Sequence, residues 1–354
     1  MATTYDKDPA MQSMGASANR HRVEGKSYPD AKSPLKLEKK DWIEIGKRVW
    51  SEIEADDIGM VAAATAYYAL FAIFPLLIAC VSIYGFVSDP LELESQIVSI
   101  SRIIPGDAAK VISDQLHAIV SNPPTALGFG ALLSIVIALW TASSGTKSMM
   151  KALNIVYDEP EKRGIIKLNA YALALTLGAV LAIILAVALI VVLPVVLNFF
   201  GLASGVTESL LLLVRWPFLA ALFAFSIAVV NRFGPSRNTA KWRWVSVGAV
   251  LGTLMILIAS AGLAFYVKKF GTYNATYGSL SGVIILLLWF YLVSYAVLLS
   301  AEINAEMEHQ TLADSTVGPE KPMGKRGALK ADSVPSMNPE PVSPADAKKA
   351  PPAQ

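Results

Sequence analysis

The chain has 354 residues, of which 54% are hydrophobic and only 16% are charged, whereas soluble proteins carry about 25% charged residues. A soluble domain of this composition would lack the polar surface that keeps it dispersed, so the sequence predicts a membrane protein. The net charge of +2 excludes a globally basic nucleic-acid binder, and a single cysteine excludes an intrachain disulfide. The three histidines lie too far apart in sequence to form a local pair of metal ligands, and we expect neither a metal nor another cofactor.

Both ends of the chain are polar. Residues 1–40 contain scattered prolines and no apolar run, so we expect a disordered cytoplasmic tail and no cleavable signal peptide. Residues 41–57 combine apolar positions at helical spacing with lysines and predict an amphipathic helix. That helix would either lie on the anionic inner leaflet or pack as an ordinary cytoplasmic helix. Residues 311–354 are rich in Pro, Ala, Ser and Lys and predict a second disordered cytoplasmic tail.

Six long stretches between the tails contain almost no charged residues. A helix needs about 20 apolar residues to cross a bilayer, and each stretch is long enough. We therefore predict an all-α, polytopic membrane protein whose domain at 58–310 is a six-helix transmembrane bundle. The predicted spans lie near 58–86, 125–147, 168–195, 209–231, 244–267 and 279–301.

The distribution of Lys and Arg predicts the orientation of these spans. The termini and the loops on their side of the bundle hold 25 of the 30 basic residues, and the opposite loops hold four. Because basic loops stay on the cytoplasmic side, both termini are expected in the cytoplasm.

The largest predicted outer segment is 89–124. Two apolar stripes at helical spacing are separated by a Pro-Gly-Asp break at 105–107, which predicts an amphipathic helical hairpin over the outer mouth of the bundle. This hairpin would act either as a lid or as a structural cap.

Three prolines and four glycines disturb the predicted spans. Pro75, Pro194 and Pro217 lack the N–H that would bond the carbonyl four residues earlier, so they predict kinks that often line cavities. Glycine pairs four residues apart permit close helix packing, which is our interpretation of them. The pairs are Gly248 with Gly252 and Gly278 with Gly282.

Arg215 is the one basic residue that lies deep within a predicted span. A guanidinium in hydrocarbon costs several kcal/mol unless it snorkels to the interface or finds a partner. Two interpretations follow: Arg215 reaches outer-leaflet phosphates, or it contacts an anionic lipid headgroup or solute inside an outward-facing cavity. Glu208, two helical turns away, is a long-range candidate partner.

Polar and aromatic residues cluster at both ends of the spans. Such residues are usually interfacial anchors or interhelical hydrogen bonds, and the functional alternative is a polar-lined substrate path. The inner candidates are Trp140, Ser143, Ser144, Asn154 and Glu302, and the outer candidates are Tyr273, Asn274 and Tyr277.

Six short stretches spread over all the spans carry a family resemblance. They are TAYYALFAIFP at 65–75, LWTASSG at 139–145, ALNIVY at 152–157, RWP at 215–217, YNATYG at 273–278 and AEINAE at 301–306. Together they resemble the YihY/virulence factor BrkB family from about residue 41 to 310. Two residues depart from that pattern: Asn231 stands where a Tyr is expected, and Ser300 where a Gly is usual.

The resemblance implies a six-helix protein of the bacterial inner membrane, linked to envelope integrity and to lipid or solute movement. An old family label, ribonuclease BN, implies tRNA processing, but hydrolysis of RNA requires metal-holding groups or an acid–base pair, which these short loops do not suggest. We expect a transport-type protein rather than an enzyme, with membrane lipids or a small solute or ion as ligands and no nucleic-acid partner. The alternatives are a structural scaffold that binds partners through the outer hairpin or the tails and, last, the ribonuclease.

Overall fold

The computed structural model describes residues 20–23, 26–85, 129–192, 206–269 and 280–335. Most of these residues are helical. The predicted outer hairpin at 89–124, all three outer candidates and Pro194 lie outside the described residues. The outer candidates are Tyr273, Asn274 and Tyr277.

Six helices of 23 to 30 residues occupy the regions of the six predicted spans. A shorter helix, α1 (Lys39–Ala55), precedes them, and a single turn, α8 (Leu329–Asp332), follows them. The six are α2 (Ile58–Gly85), α3 (Phe129–Val156), α4 (Ile165–Val187), α5 (Val206–Phe233), α6 (Trp242–Lys269) and α7 (Leu280–His309). Helix α4 continues into a π-helical turn, Ala188–Val192.

Four helical stretches are long and apolar enough to cross a membrane, and a fifth is reached if one bent pair counts as a single span. This count covers the described part of the chain. The four stretches are Ile165–Ile190, Leu213–Phe233, Trp242–Lys268 and Ser281–His309. The bent pair joins α1 to the first half of α2 at an angle of 64°. Many large apolar side chains on these helices are exposed, as expected for surfaces that contact lipid.

Local chemistry explains where α1 begins and where it separates from α2. At the start of α1, the N–H of Glu38 donates to Oδ2 of Asp41 at 2.9 Å, which satisfies one backbone N–H group. Asp57 has a φ of 49°, in the left-handed region that Asp tolerates better than most residues, and this turn separates the two helices. Helices α2 and α5 continue through Pro75 and Pro217, so neither proline ends its helix.

The buried apolar residues form two clusters. One cluster surrounds Trp244 and joins α1, α6 and α7 through residues that include Ile45 and Met307. The other joins α2, α3 and α7 through residues that include Ile58 and Leu153. Helix α7 belongs to both clusters and extends about two turns beyond its predicted span, because its last turns are covered by other segments instead of ending at solvent.

Helix α7 approaches α6 closely at the first glycine pair, as predicted. A Cβ at Gly248 would collide with the carbonyl oxygen of Ser300 and the side chain of Asn304, and a Cβ at Gly252 would lie 2.7 Å from Cβ of Ser300. The interpretation of these glycines as packing residues is therefore confirmed.

The predictions of disordered tails are wrong for the parts that the structure describes. An antiparallel hairpin pairs β1 (Arg20–Val23) with β2 (Lys26–Pro29), so the chain is not purely helical. Residues 311–335 are also folded: the N–H of Leu312 donates to the carbonyl of Pro29, and Ala240 pairs with Thr316 in a β-bridge. Composition alone missed this order because the two polar tails bury each other against the bundle, a tertiary effect.

We call the assembly formed by residues 26–38, α1, 157–164, 234–241 and 309–335 the charged cap. Arg326, nearly fully buried, holds its C-terminal part together by donating from Nη2 to the carbonyl of Leu312 at 2.6 Å and from Nη1 to that of Ala331 at 2.6 Å. Asp314 accepts from the N–H groups of Thr316 and Lys321 at 2.8 and 2.9 Å. These side chains thus satisfy part of the backbone of residues 309–335, a stretch with little regular structure.

Candidate functional site

Arg215 lies on α5 and contacts the π-helical turn that follows α4. Its Nη1 donates to the carbonyl oxygen of Ile190 at 3.2 Å. Pro194, four residues after Ile190 in sequence, has no N–H to offer that carbonyl. The guanidinium thus joins α5 to the π-helical turn through a backbone carbonyl to which residue 194 has no N–H to donate.

The Arg215 guanidinium keeps unused hydrogen-bonding capacity in an apolar setting. Its Nε is buried and has no hydrogen-bond partner among the described residues. The guanidinium carbon lies 5.4 Å from the ring centroid of Trp216, and the neighbouring side chains Leu213 and Val214 are exposed. The side chain of Glu208 lies outside the described side chains. Arg215 thus presents a positive charge beside an apolar helix surface. Among the described residues, the carbonyl oxygen of Ile190 accepts a hydrogen bond from it.

The inner candidates on α3 form a small group near Lys147. Trp140 is exposed, and Nζ of Lys147 lies 5.2 Å from the centroid of its ring. Ser143 is buried and donates to the carbonyl of Trp140 at 2.6 Å, whereas Ser144 is half-buried. Lys147 also donates to Oδ1 of Asn169 on α4 at 3.0 Å. These contacts join α3 to α4 near the charged cap.

Asn154 joins two loops of the charged cap. Its Oδ1 accepts from the N–H of Ser236 at 2.7 Å, and its Nδ2 donates to Oε2 of Glu161 at 3.0 Å. Glu161 also accepts from the guanidinium of Arg163, and this hydrogen bond is the main reason why the pKa of Glu161 is lowered to about 2. Asn154 is committed on both sides of its amide, so the structure gives it a positioning role between the loops.

Glu302 is the candidate whose environment is the most unusual. It lies on α7 with no exposed surface, and neither of its carboxyl oxygens has a hydrogen-bond partner among the described residues. Burial of an unpaired carboxyl group is strongly unfavourable, and such groups in a native fold call for an explanation.

Next to Glu302 lies a buried group of ion pairs centred on Glu306. Oε2 of Glu306 is 2.6 Å from Nε of Arg48 on α1, and Oε1 is 2.9 Å from Nζ of Lys330 on α8. The same Nζ is 3.0 Å from Oδ2 of Asp158, which follows α3 with a φ of 55°. Lys330 therefore joins the ends of α3 and α7 to residues 309–335, which we call the C-terminal segment. Its side chain is only 3% exposed.

Two further carboxyl groups, those of Glu52 and Asp56 at the end of α1, interact electrostatically with Lys330 and Asp158. Burial, reinforced by the charge of Asp158, raises the pKa of Asp56 to about 7, and burial also raises the pKa of Glu52. Burial alone would lower the pKa of Lys330, but the negative charges of Glu306 and Asp158 outweigh it, so its pKa is raised. Lys330 is thus held as a cation at neutral pH.

A second buried ion pair lies nearby. Arg237 donates to both carboxyl oxygens of Glu308, at 3.1 and 2.6 Å, and both side chains are almost completely buried. The Arg237 guanidinium lies 4.1 Å from the ring centroid of Tyr157, and Ser315 donates to Oε2 of Glu308 at 2.6 Å. This pair joins the α5–α6 loop to α7 and to the C-terminal segment.

The sequence analysis missed Lys330, Arg48 and Arg237 as site residues. Lys330 lies in a stretch whose composition predicts disorder, and the two arginines lie in segments predicted to be cytoplasmic, where basic residues are expected for topology alone. One signal was available: Glu302, Glu306 and His309 share one face of α7 at intervals of four and three residues. Ionisable side chains on one face at the end of an apolar helix require groups of opposite charge when they are buried. Arg48 and Lys330 of the charged cap are such groups for Glu306.

The two departures from the family pattern contact each other. Nδ2 of Asn231 on α5 donates to Oγ of Ser300 on α7 at 3.0 Å, and Oγ of Ser300 donates to the carbonyl of Val297 at 2.7 Å. Both residues are fully buried. A smaller side chain at 231 and a larger one at 300 therefore occur together at one helix contact.

Comparison with known proteins places the chain in a family. The model of the family described as virulence factor BrkB matches residues 49–324. The ribonuclease-like protein YfkH of Bacillus subtilis is 33% identical over 252 residues, which are 69% of this chain and 88% of that protein. A UPF0761 membrane protein of Aeromonas salmonicida is 30% identical, covering 73% of this chain and 86% of that protein. Another, of Stenotrophomonas maltophilia, is 30% identical, covering 75% and 61% respectively.

No solved structure matches the chain. The family model covers more than three quarters of the residues, including all six long helices, and two of the three relatives are named as membrane proteins. On this evidence the chain is a membrane protein that belongs to the virulence factor BrkB family.

Proposed function

We propose that this protein moves lipids, or a small anionic solute or ion, passively across the bacterial inner membrane, through a six-span bundle with both termini in the cytoplasm. The observation that carries the proposal is Arg215. Its guanidinium lies on a membrane-capable helix, and Nε has no partner among the described residues. A charge in such a place is unfavourable unless it reaches the interface or finds polar partners, so a buried guanidinium nitrogen without a partner supports a functional role.

The contacts of Arg215 favour an anionic ligand. The hydrogen bond to Ile190 fixes the guanidinium between α4 and α5 and leaves donors for a second acceptor. Arg binds phosphate and carboxylate groups better than Lys because its donors form a planar fork. A phospholipid headgroup in the bilayer carries such a phosphate, so a lipid is the first ligand to test.

The charged cap supports the proposed orientation. It gathers the basic loop residues of the inner side at one end of the bundle, where Arg163 and Arg237 each pair with a carboxylate. Positive loops remain in the cytoplasm during insertion, so this end is assigned to the cytoplasm. The sequence has no phosphate-binding loop of the GxxxxGK[ST] type, so the movement is passive, is coupled to an ion or depends on another subunit, and passive movement is the case to test first.

Ribonuclease activity is not part of the proposal. The acidic residues of the α3–α4 loop are occupied: Asp158 pairs with Lys330, Glu159 with Lys162, and Glu161 with Arg163. Glu159 also accepts from the N–H of Leu329 at 2.7 Å, which joins the loop to the C-terminal segment. Among the described residues, no group of three His, Cys, Asp or Glu side chains is placed to hold a metal ion. The loop acidic residues thus serve the packing of the cap.

The structural alternative rests on a different observation, the charged cap itself. Its folded tails present an ordered surface on which Leu35 is 85% exposed. A scaffold that binds partner proteins would use such a surface, and its function would survive the loss of Arg215. The two functions therefore make opposite predictions for substitutions of Arg215.

The experiment is a lipid-scrambling assay in proteoliposomes with a headgroup-labelled phospholipid and chemical quenching of the outer leaflet. Wild type is compared with Arg215→Ala, with Arg215→Lys, which retains the charge, and with Arg243→Ala, which removes an exposed arginine from the start of α6. We expect scrambling by wild type and Arg243→Ala, and a decrease of about tenfold for Arg215→Ala, as expected for losing one charged hydrogen bond. Arg215→Lys should lie between them because it keeps the charge and loses the fork.

Equal rates for wild-type and protein-free liposomes would remove passive lipid movement. Flux of small anions would then be measured with the same four proteins. If Arg215→Ala also leaves anion flux at the wild-type level, the transport proposal is wrong and the scaffold is favoured.

A further inference from the structure

Arg232, in the last turn of α5, lacks the kind of partner that other arginines at this end of the bundle have. Arg48, Arg163 and Arg237 each pair with a carboxylate. Nε and Nη1 of Arg232 are buried, and neither has a hydrogen-bond partner among the described residues. Buried donors without an acceptor are unfavourable, so this guanidinium calls for an acceptor from outside those residues.

Aromatic side chains hold the Arg232 guanidinium in place. Its carbon Cζ lies 4.3 Å from the ring centroid of Trp242, the first residue of α6, and 5.3 Å from that of Phe233. The Trp242 ring also stacks on the ring of Phe225 in α5, with a centroid distance of 5.8 Å and an interplanar angle of 17°. Contact with a ring face fixes the position of a guanidinium but uses none of its in-plane N–H donors. These donors are therefore still available to an acceptor oxygen.

The group formed by Arg232, Trp242 and Phe225 borders the lipid-facing surface where α5 ends and α6 begins. Trp242 is 43% exposed and Phe225 is 58% exposed, on two helices that are long and apolar enough to cross a membrane. Arg232 is half-buried. The ends of membrane spans lie at the level of the lipid headgroups, where tryptophan rings prefer to lie. A headgroup phosphate therefore comes within reach of the guanidinium.

The charges next to Trp242 favour a negatively charged headgroup. Arg243 follows it and is exposed, and Lys241 precedes it and donates to a backbone carbonyl, that of Asp314, at 2.7 Å. In the described part of the chain, no carboxylate forms an ion pair with Arg232, Lys241 or Arg243. A positive group of this kind attracts an anionic headgroup and repels the ammonium group of a zwitterionic one.

We propose that Arg232 and Trp242 form a binding site for an anionic phospholipid at the end of the bundle that carries the charged cap. The guanidinium binds the headgroup phosphate, whose oxygens match its planar fork of donors, and the rings of Trp242 and Phe225 contact the apolar part of the same lipid. The bound lipid joins α5 to α6 beside the cap loop 234–241. The proposal depends neither on transport nor on Arg215, which lies about 25 Å away along α5.

The test uses the full-length protein in detergent and measures the midpoint of thermal unfolding in a concentration series of phosphatidylglycerol, phosphatidylcholine or inorganic phosphate. Wild type is compared with Arg232→Gln and with the matched control Arg243→Gln, which removes an exposed arginine one residue from Trp242. We expect phosphatidylglycerol to raise the midpoint of wild type and Arg243→Gln by about 3 °C more than phosphatidylcholine does. Arg232→Gln should need about tenfold more phosphatidylglycerol for the same rise, because it loses charged hydrogen bonds to the phosphate.

The comparison also separates a lipid site from two other sources of the same response. If Arg243→Gln weakens the response as much as Arg232→Gln does, basic residues attract anionic lipid without a defined site, and the proposal is overturned. If inorganic phosphate raises the midpoint as much as phosphatidylglycerol does, the ligand is a free anion and the lipid site is wrong. Arg232→Lys should respond between wild type and Arg232→Gln, because it keeps the charge and loses the fork.

A second measurement needs no substitution of Arg232. The protein is reconstituted in phosphatidylcholine bilayers in which a small fraction of the lipid is brominated phosphatidylglycerol or brominated phosphatidylcholine, and the quenching of tryptophan fluorescence is recorded. Wild type is compared with Trp242→Phe, which keeps an aromatic ring. We expect the phosphatidylglycerol to quench wild type more strongly, and this preference to shrink in Trp242→Phe because Trp242 contacts the bound lipid. Equal quenching of wild type by the two lipids, or the same preference in both proteins, would contradict the proposal.

Discussion

The contact between α6 and α7 and the charged cap hold helices together in different ways. At the first, Gly248 brings the backbones so close that its N–H donates to Oδ1 of Asn304 at 2.9 Å, and the Asn304 amide donates to the carbonyl of Val245 at 3.3 Å. In the cap, separate segments are joined by buried ion pairs such as Arg237 with Glu308. The difference teaches that apolar helices associate in lipid through small residues, whereas polar segments require exact pairing of charge.

Removing one partner of a buried ion pair should have the largest effect. Arg237→Ala leaves Glu308 buried with only the Ser315 hydroxyl as a partner, so we expect a loss of about 3–5 kcal/mol of stability. Denaturant unfolding of the purified protein measures the change. Lys32→Ala, at an exposed pair, should cost about 0–1 kcal/mol. Equal effects of the two substitutions would mean that burial of the pair has no importance.

A methyl group at the glycine contact should have the next largest effect. Gly248→Ala forces a Cβ against the Ser300 carbonyl and the Asn304 side chain, and overpacking of this kind costs about 1–3 kcal/mol. The matched control is Gly262→Ala on the same helix, where nothing lies within 4 Å of the added Cβ. The unfolding midpoint of Gly262→Ala should equal or exceed that of wild type, because alanine favours the helix. If Gly248→Ala unfolds at the same midpoint as wild type, α6 and α7 can move apart without loss of stability, and the close contact is not needed.

The Asn231–Ser300 hydrogen bond gives a smaller, paired prediction. Ser300→Gly removes the acceptor of Nδ2 of Asn231, and Asn231→Tyr inserts a large ring beside the Ser300 hydroxyl. Each single substitution should destabilise the protein, whereas the double variant should regain about 1 kcal/mol of the combined loss. A double-mutant cycle of unfolding free energies measures this coupling. Additive effects would mean that the two departures from the family pattern are independent.

The pH dependence of the charged cap should be the smallest effect. Because burial and the charge of Asp158 raise the pKa of Asp56 from 3.8 to about 7, the folded protein binds this proton more tightly than the unfolded chain does. The cap should therefore become more stable as pH falls from 8 to 5, and lose stability as pH rises through 7. Asp56→Asn should reduce the change in the unfolding midpoint between pH 8 and pH 5. A wild-type midpoint that falls on acidification from pH 8 to 6 would contradict the assignment.

The helices were predictable because their signal is local. Charge-free apolar stretches must satisfy their backbone internally, so a helix in each of the six regions follows from composition and length. The glycine pair at 248 and 252 was also interpreted correctly, since close packing is what small residues in such helices permit. Arg215 was recognised from its isolation, but its hydrogen bond to Ile190 depends on how α4 and α5 meet.

The sequence by itself determined that this is a largely helical membrane protein, where its long helices lie and which family it resembles. Only the tertiary structure decided that the polar tails fold against the bundle and that Lys330 reaches Glu306 from 24 residues further along the chain. The reason is physical: hydrophobicity and helix formation depend on neighbouring residues, whereas the pairing of Lys330, Arg48 and Arg237 with carboxylates depends on segments that meet only after folding.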